Sequence, residues 1–364
     1  MSKEYEGIVV IGAGPAGSAL AYLARRRLNT SIVVYEALKK PGLKACGWGL
    51  LRSVEDYIGN IPKDAVFNKF KGFRIFVDNE LVVEYSSRRT IAYMVNRPLL
   101  MGELLESSNA EVFLNKRVDL RYVLKKHKDY LPVIATGFQW NPSNRRLLLG
   151  IEYRVENASI DEPEFMEVWT WTGFVGYLWV FPFNEREVHV GVGGEAPYSI
   201  LKKILDNFLK KNKRFAKSRV KYMIAGNVTV DGIKEGFLEK NFPVIGEAMG
   251  AVLPLTGEGM RPAMITAWSL VEALKKNNWK LYIRILERTG LPRSIRLQYK
   301  IFNSIERRRA RLPIKRLREL VKDCEWLVYD IAFGNPGVWS ILRALPCGLR
   351  KALTIASLIK RYSS

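Results

Sequence analysis

Gly7-Ile-Val-Val-Ile-Gly-Ala-Gly-Pro-Ala-Gly17 is a β-branched run that stops in a glycine-rich turn, and Ser18 to Arg27 behind it has helix-forming composition. Ser31 to Tyr35 is a second apolar run, so the stretch reads as strand, turn, helix, strand. The spacing gives each glycine a task. Gly12 allows the tight turn, Gly14 lets the backbone approach a pyrophosphate, and Gly17 lets helix and strand pack closely. The helix N-terminus then presents N–H groups and a positive dipole to phosphates. Glu36, nineteen residues after Gly17 at the end of the second strand, is placed to accept hydrogen bonds from ribose hydroxyls. An acid there disfavours a 2′-phosphate and leaves FAD or NAD; the alternative is a glycine-rich turn with no ligand.

Outward from this unit the pattern changes. Phe70 to Val77 and Leu81 to Tyr85 read as strands joined through Asp78-Asn79, with Thr90 to Val95 a third, and Arg97-Pro98 opens a helix. Val133-Ile-Ala-Thr-Gly137 is a short buried-type strand. Ile151 to Val155, Glu167 to Phe183 and Glu187 to Val192 alternate like a broad antiparallel sheet. Phe242-Pro-Val-Ile-Gly246 returns to the buried-strand pattern, Gly257-Glu-Gly-Met-Arg-Pro262 leads into a helix to about Leu274, and the chain reads as helical from Trp279.

A chain of 364 residues with 48% hydrophobic and 26% charged residues is globular, which excludes collagen, long disordered tails and bare coiled coil. Three scattered cysteines, Cys46, Cys324 and Cys347, make no disulfide framework, and with only His127 and His189 beside them no metal site is expected. Cys324 and Cys347 read as core residues, His127 as loop and His189 as a strand residue without a role. Met1 to Glu6 runs directly into the first strand without an apolar leader, and the longest uncharged run, Val168 to Asn184, is rich in Trp, Phe, Tyr, Thr and Gly and reads as sheet. The expectation is a cytoplasmic protein with no transmembrane helix.

A net charge of +22 asks for an anionic partner. Lys202 to Lys221 carries nine Lys/Arg against Asp206, and Arg293 to Lys322 carries eleven against Glu306 and Glu319. Ile295, Leu297, Ile301, Phe302 and Ile305 are interleaved, so the second segment reads as amphipathic helix with a cationic face. Arg307, Arg308, Arg309 and Arg311 are its densest charge. An anionic membrane surface is the preferred partner, with a solvated face or a nucleic-acid surface as the alternatives.

Three later segments carry a resemblance. Gly246-Glu-Ala-Met-Gly-Ala-Val-Leu-Pro-Leu-Thr-Gly-Glu-Gly-Met260 resembles the second FAD fingerprint of the para-hydroxybenzoate-hydroxylase-like flavoproteins, and Cys46-Gly-Trp-Gly49 follows a basic stretch. Gly176-Tyr-Leu-Trp-Val-Phe-Pro182 matches a YxWxFP element, and the set, spanning roughly residues 5 to 275, resembles the geranylgeranyl reductase family. The implied fold is α/β: a Rossmann-like FAD-binding domain with an inserted antiparallel-sheet substrate domain and a helical C-terminal region. FAD-binding segments would be 1–65, 97–139 and 241–275, the substrate domain 66–96 and 140–240, and the basic helical region 276–364.

The resemblance implies that Ala16 and Glu36 hold the ADP half and that Cys46, Gly47 and Gly49 lie near the flavin or ribityl chain. By the same comparison Arg97 reaches the phosphates or ribityl, Val118 touches adenine through its backbone, and Gly259 and Met260 lie beside the ring. A helix start at Gly257 would direct N–H donors at the edge of a reduced flavin that carries negative charge. The sequence departs from the family twice. Glu247 replaces an aspartate that binds the ribityl chain, and Ala135-Thr136 stand where a Gly-Ala-Asp-Gly segment is usual.

The implied activity is FAD-dependent saturation of isolated double bonds in geranylgeranyl chains, of ether-lipid precursors or geranylgeranyl diphosphate. The sequence does not reveal the electron donor, with NAD(P)H and a ferredoxin-like protein both open. An unactivated alkene needs hydride from flavin N5 coupled to protonation inside a dry pocket. Cys46, Tyr177 and Glu258 are the candidate proton donors; for Cys46 a redox-active thiol or a packing role is equally open. Trp169, Trp171, Tyr177, Trp179 and Phe181 lie at odd positions and share a face if they occupy one strand direction, with Pro182 closing the element, although Gly173 and Gly176 break the run. Such a wall suits an isoprenoid chain; ordinary core aromatics are the alternative reading. Rival functions are a flavin-dependent monooxygenase or epoxidase, or a lipid or nucleic-acid binding protein that kept the fold.

Overall fold

The computed structural model describes residues 5–234, 241–308 and 325–332. Strand β1 (Gly7–Ile11) enters the glycine turn, helix α1 (Pro15–Arg27) follows with Pro15 at its first position, where no N–H is needed, and β2 (Ser31–Tyr35) returns parallel to β1 with Val9 opposite Val33. Beyond it come β3 (Gly49–Leu51), the short helix α2 (Glu55–Ile58), β4 (Val66–Phe70), β5 (Gly72–Val77), β6 (Glu80–Ser86) and β7 (Ala92–Val95). The β5–β6 hairpin turns on Asp78 and Asn79, both left-handed at φ 49° and 69°, as a two-residue turn with right-twisting strands requires. Helix α3 (Arg97–Glu106), β8 (Glu111–Phe113), α4 (Leu120–Lys126) and β9 (Tyr130–Ile134) complete a four-stranded parallel sheet in the order β8-β2-β1-β9.

The chain then builds β10 (Leu147–Glu156), β11 (Phe165–Thr170), β12 (Gly176–Pro182), β13 (Val188–Gly194), α5 (Tyr198–Lys211) and β14 (Arg219–Thr229). These strands join the earlier hairpin in a seven-stranded sheet, order β14-β10-β13-β12-β11-β5-β6, with only β11 and β5 parallel. Residues 66–96, read from sequence as one sheet segment, divide between two sheets, because β4 and β7 pair with β3 in a separate three-stranded sheet. That small sheet bridges the other two.

Helix α6 (Met260–Leu274) is buried along almost its whole length and packs on α1, and both helices bury small residues in the same core, Ala16, Ala19 and Ala24 in α1 and Ala263 and Ala267 in α6. Helices α7 (Tyr282–Arg288), α8 (Leu291–Arg308) and α9 (Glu325–Ala332) follow. Cys324, Cys347, Arg309 and Arg311 lie outside the described residues. Among the described residues no helix is long and apolar enough to cross a membrane.

The seven-stranded sheet has two unlike faces because strand side chains alternate. Ile151, Tyr153, Val155, Leu178, Val180, Val190 and Val192 pack against Leu201, Leu205 and Phe208 of α5. Burial of those three helix side chains stabilises the layer by roughly 1.5–3 kcal/mol each. The lysines of α5 face outward, with Asp206 accepting from Lys202 and from Tyr153. The other face of the sheet looks toward the glycine turn across a cavity.

Candidate functional site

The cavity has a volume of about 1180 Å³ and runs from the β1–α1 turn to the inner face of the large sheet. At the turn, Gly12 adopts φ 108° with the Ala135 carbonyl 2.5 Å from where a Cβ would stand, and a Cβ at Gly17 would sit 1.9 Å from the Gly12 carbonyl oxygen. Gly14 is different. A Cβ there would meet nothing within 4 Å, and no side chain caps the start of α1. The turn therefore forms a cradle at the positive end of a helix, where backbone N–H groups fit a pyrophosphate. Glu36 is buried and braces the turn: its Oε2 accepts from Ala13 N at 2.7 Å and its Oε1 from Leu38 N at 2.8 Å. A carboxylate oxygen has a further lone pair, so ribose hydroxyls can still reach it. Ala16, Val118 and Lys116 line the same end.

Further along, Arg97 is buried against the cavity, its Nη1 donating to the Lys44 carbonyl at 3.1 Å while its Nε has no partner among the described residues. A buried guanidinium with an unpaired N–H is costly in isolation and suits a ligand phosphate or hydroxyl. Glu247 also faces the cavity; its Oε2 lies 2.5 Å from Lys44 Nζ and its Oε1 accepts from Thr229 N at 3.1 Å. The extra methylene relative to aspartate is taken up by this reach toward Lys44 and β14. Gly246, at φ 66°, has Ala16 Cβ 2.7 Å from its own virtual Cβ and so lets the segment abut α1. Gly257, Gly259 and Met260 line the cavity at the start of α6, and Cys46, Gly47 and Gly49 form its side. Of the cofactor residues expected from the sequence, Gly12, Gly14, Ala16, Glu36, Cys46, Gly47, Gly49, Arg97, Val118, Glu247, Gly257, Gly259 and Met260 line this one space, whereas Gly17 and Gly246 stand behind it in packing contacts.

The aromatic wall is partly as expected. Tyr177, Trp179 and Phe181 of β12 face the cavity, together with Phe73, Ile75 and Val77 of β5, Met166 and Val168 of β11, and Leu148 and Gly150 of β10. Trp169 does not belong to this wall. The β11–β12 register sets Val168 opposite Trp179 and Trp169 opposite Leu178, so Trp169 points to the α5 face, stacked on Phe76 at 3.9 Å and edge-on to Phe208. The odd-position expectation fails because Gly173, at φ 86°, lies in a turn that resets the alternation. Trp171 and Phe174 sit in that turn and reach the cavity mouth. Pro182 is buried beneath the wall, its carbonyl accepting from Asn68 Nδ2, and does not line the cavity.

Of the three sequence candidates for a proton donor, Glu258 is bound at both oxygens by Arg261, at 2.8 Å each, and acts as an acceptor pair for that buried guanidinium. The Tyr177 hydroxyl donates to the Thr256 carbonyl, and burial, reinforced by Cys46 nearby, pushes its pKa far up. Cys46 is half-buried at the cavity side. A fourth group escaped the sequence reading. Glu152, on the cavity face of β10, is buried, and its Oε2 accepts from Trp179 Nε1 at 3.0 Å. Desolvation raises its pKa well above the usual carboxylate range. His189 Nδ1 lies 3.1 Å from Glu152 Oε1 without the alignment of a hydrogen bond, and burial, aided by Arg154, lowers the imidazole pKa to about 3. The available signal was a lone acid at an inward position of an apolar strand. No group of three metal-ligating side chains occurs among the described residues.

Residues 148–228, which supply β10 to β14, match the family model described as geranylgeranyl reductase catalytic domain, and residues 10–66 match an NAD(P)-binding Rossmann-like domain. The digeranylgeranylglycerophospholipid reductase of Picrophilus torridus is 25% identical over 319 residues, covering 76% of this chain and 79% of the relative. That of Methanothermobacter thermautotrophicus, number 2, is 27% identical over 295 residues, covering 70% and 74%. A solved geranylgeranyl bacteriochlorophyll reductase-like protein from Thermoplasma acidophilum superposes with TM-score 0.76 at 18% identity, covering 98% of both chains. A flavin-dependent brominase superposes with TM-score 0.67 at 14% identity, covering 90% of this chain and 92% of its own, so the architecture is shared across flavoproteins of unlike chemistry. The catalytic-domain match falls on the sheet that walls the cavity, and the chain is similar in sequence to geranylgeranyl reductases and in fold to flavoproteins.

Proposed function

We propose that this chain binds FAD along the cavity and saturates isolated double bonds of geranylgeranyl chains, with the chains of a digeranylgeranylglycerophospholipid as substrate. When bound, reduced flavin supplies the hydride that the alkene requires. The residues around it do the rest. The Gly12–Gly17 turn and Arg97 would hold the diphosphate, Glu36 the ribose, Glu247 with Lys44 the ribityl chain, and the α6 start at Gly259 and Met260 the ring edge. Tyr177, Trp179, Phe181, Val168 and Ile75 exclude water from the reacting carbons and bind the chain by apolar contact, worth roughly 0.8 kcal/mol per CH₂.

The observation that carries this reading is the continuity of one cavity from the glycine turn to an aromatic, mostly uncharged sheet face. An anionic membrane is the proposed source of the lipid. Its support is the outward lysine face of α5, with exposed Tyr198 and Ile200 at its start, and the cationic composition of Arg293 to Lys322. The test is anaerobic incubation of reduced, FAD-loaded protein with unsaturated lipid in anionic vesicles: hydrogen gained by the lipid chains supports the reading. Oxygen consumption with oxygenated lipid as the only product would replace it with a monooxygenase.

A further inference from the structure

Glu152 is an acid buried in a wall that otherwise selects apolar groups. Across the sheet it faces Gly191 of β13 and Ile224 of β14, and its strand neighbours on the cavity face include Leu148 and Gly150. A Cβ at Gly191 would come within 2.2 Å of the Trp179 ring, so this glycine is what lets the indole lie against the sheet and reach Glu152 Oε2 with its N–H. The other oxygen, Oε1, has no hydrogen-bond partner among the described residues and approaches only His189. Trp48 and Phe183 enclose that imidazole with ring centroids 5.1 and 4.7 Å away, and Arg154 is the other charged group near it. An unpaired carboxyl oxygen in such a place needs a reason.

We infer that Glu152 is the acid that protonates the alkene, and that Trp179 and His189 are its positioning residues; the inference rests on the proposed reduction of prenyl chains. One alkene carbon would take the hydride that bound reduced flavin supplies, which would leave that flavin oxidised. The Glu152 O–H bond breaks as the second C–H bond forms on the other carbon, and Glu152 is left a carboxylate until solvent returns a proton. The sum is one alkene and one reduced flavin converted to one saturated bond and one oxidised flavin.

Trp179 holds Oε2 as an acceptor, which leaves Oε1, the oxygen beside His189, to carry the proton. Desolvation favours the protonated carboxyl, and a neutral imidazole beside it does not remove the proton. Whichever atom carries it, the carboxyl–imidazole pair holds one proton for delivery. Two of the three competing donors are less suited: Glu258 is committed to Arg261, and the Tyr177 hydroxyl to Thr256.

The test uses FAD-loaded wild type, Glu152→Gln and Glu152→Asp, reduced anaerobically with dithionite and mixed with digeranylgeranylglycerophospholipid. Glutamine keeps the acceptor for Trp179 but has no proton to give. Flavin reoxidation should slow about 100-fold or more in Glu152→Gln, with Glu152→Asp between, while FAD content is unchanged in both. An infrared difference spectrum at neutral pH should show a protonated-carboxyl stretch in wild type that Glu152→Gln lacks. A glutamine variant that reoxidises at the wild-type rate, or no such band lost, overturns the assignment. A wild type that stays reduced in the presence of lipid removes the alkene reading and this inference with it. A wild type that turns over beside an equally fast glutamine variant removes the inference alone.

Discussion

Two glycines, one at the glycine-turn end of the cavity and one beneath its aromatic wall, are small for opposite reasons. Gly14 has an ordinary backbone, φ −73°, and a Cβ there would find empty space, so nothing in the protein itself requires glycine. At Gly191 a Cβ would strike Trp179, a neighbour within the protein. The first glycine makes room for something the chain does not contain, and the second for an aromatic wall that it does. A glycine whose missing side chain opens only onto a cavity marks a ligand; one that opens onto a side chain marks packing.

Gly14→Val is the strongest way to break this contrast. Folding stability should change by no more than about 0.5 kcal/mol. FAD affinity should fall about 100-fold, about 2.7 kcal/mol, measured by flavin absorbance against unfolding midpoint. Equal FAD retention would show that the cradle is not the phosphate site. Gly191→Val should do the reverse: about 1–3 kcal/mol of stability lost by overpacking, FAD retained, and lipid turnover reduced as Trp179 is displaced. If it instead lost flavin and kept its stability, the two ends would not be separable.

The pH dependence of stability sharpens the sheet end. Because burial raises Glu152 above the usual carboxylate value of 4.5, the folded state holds a proton that the unfolded chain releases. Stability from this group is therefore lost as pH rises above about 4.5, at about 1.4 kcal/mol per unit, until folded Glu152 itself ionises. Glu152→Gln should gain on wild type by that slope in denaturant titrations. A constant difference between the two proteins across pH 5–7 would mean that Glu152 is already ionised. Smaller still is Glu247→Ala, which frees Lys44 and the Thr229 N–H and should weaken FAD binding by about 1 kcal/mol, while Glu247→Asp should bind FAD at least as well as wild type. Equal affinity in all three proteins would take this residue out of the site.

The glycine-turn end was legible in the sequence because its geometry is local. Gly12, Gly14, Gly17 and Glu36 lie on one strand–turn–helix–strand unit, and spacing alone puts them together. The sheet end was only half legible. Tyr177, Trp179 and Phe181 share one strand and one face, as alternation predicts, but Trp169 turned away because a glycine turn of unknown length reset the register. Glu152 and His189 meet only through the β10–β13 pairing, with Arg154 opposite His189, and no spacing in the chain announces that contact. The division of residues 66–96 between two sheets likewise depends on β3, a three-residue strand too short to carry a pattern.

The central claim is one cavity in which reduced flavin meets a prenyl chain. It is tested most directly by a single anaerobic turnover of the wild-type protein. Flavin bleached by dithionite should regain its oxidised absorbance when digeranylgeranylglycerophospholipid is added without oxygen, with one H₂ gained by the lipid for each flavin reoxidised. Flavin that stays bleached beside unchanged lipid, while the protein retains its FAD, would contradict it.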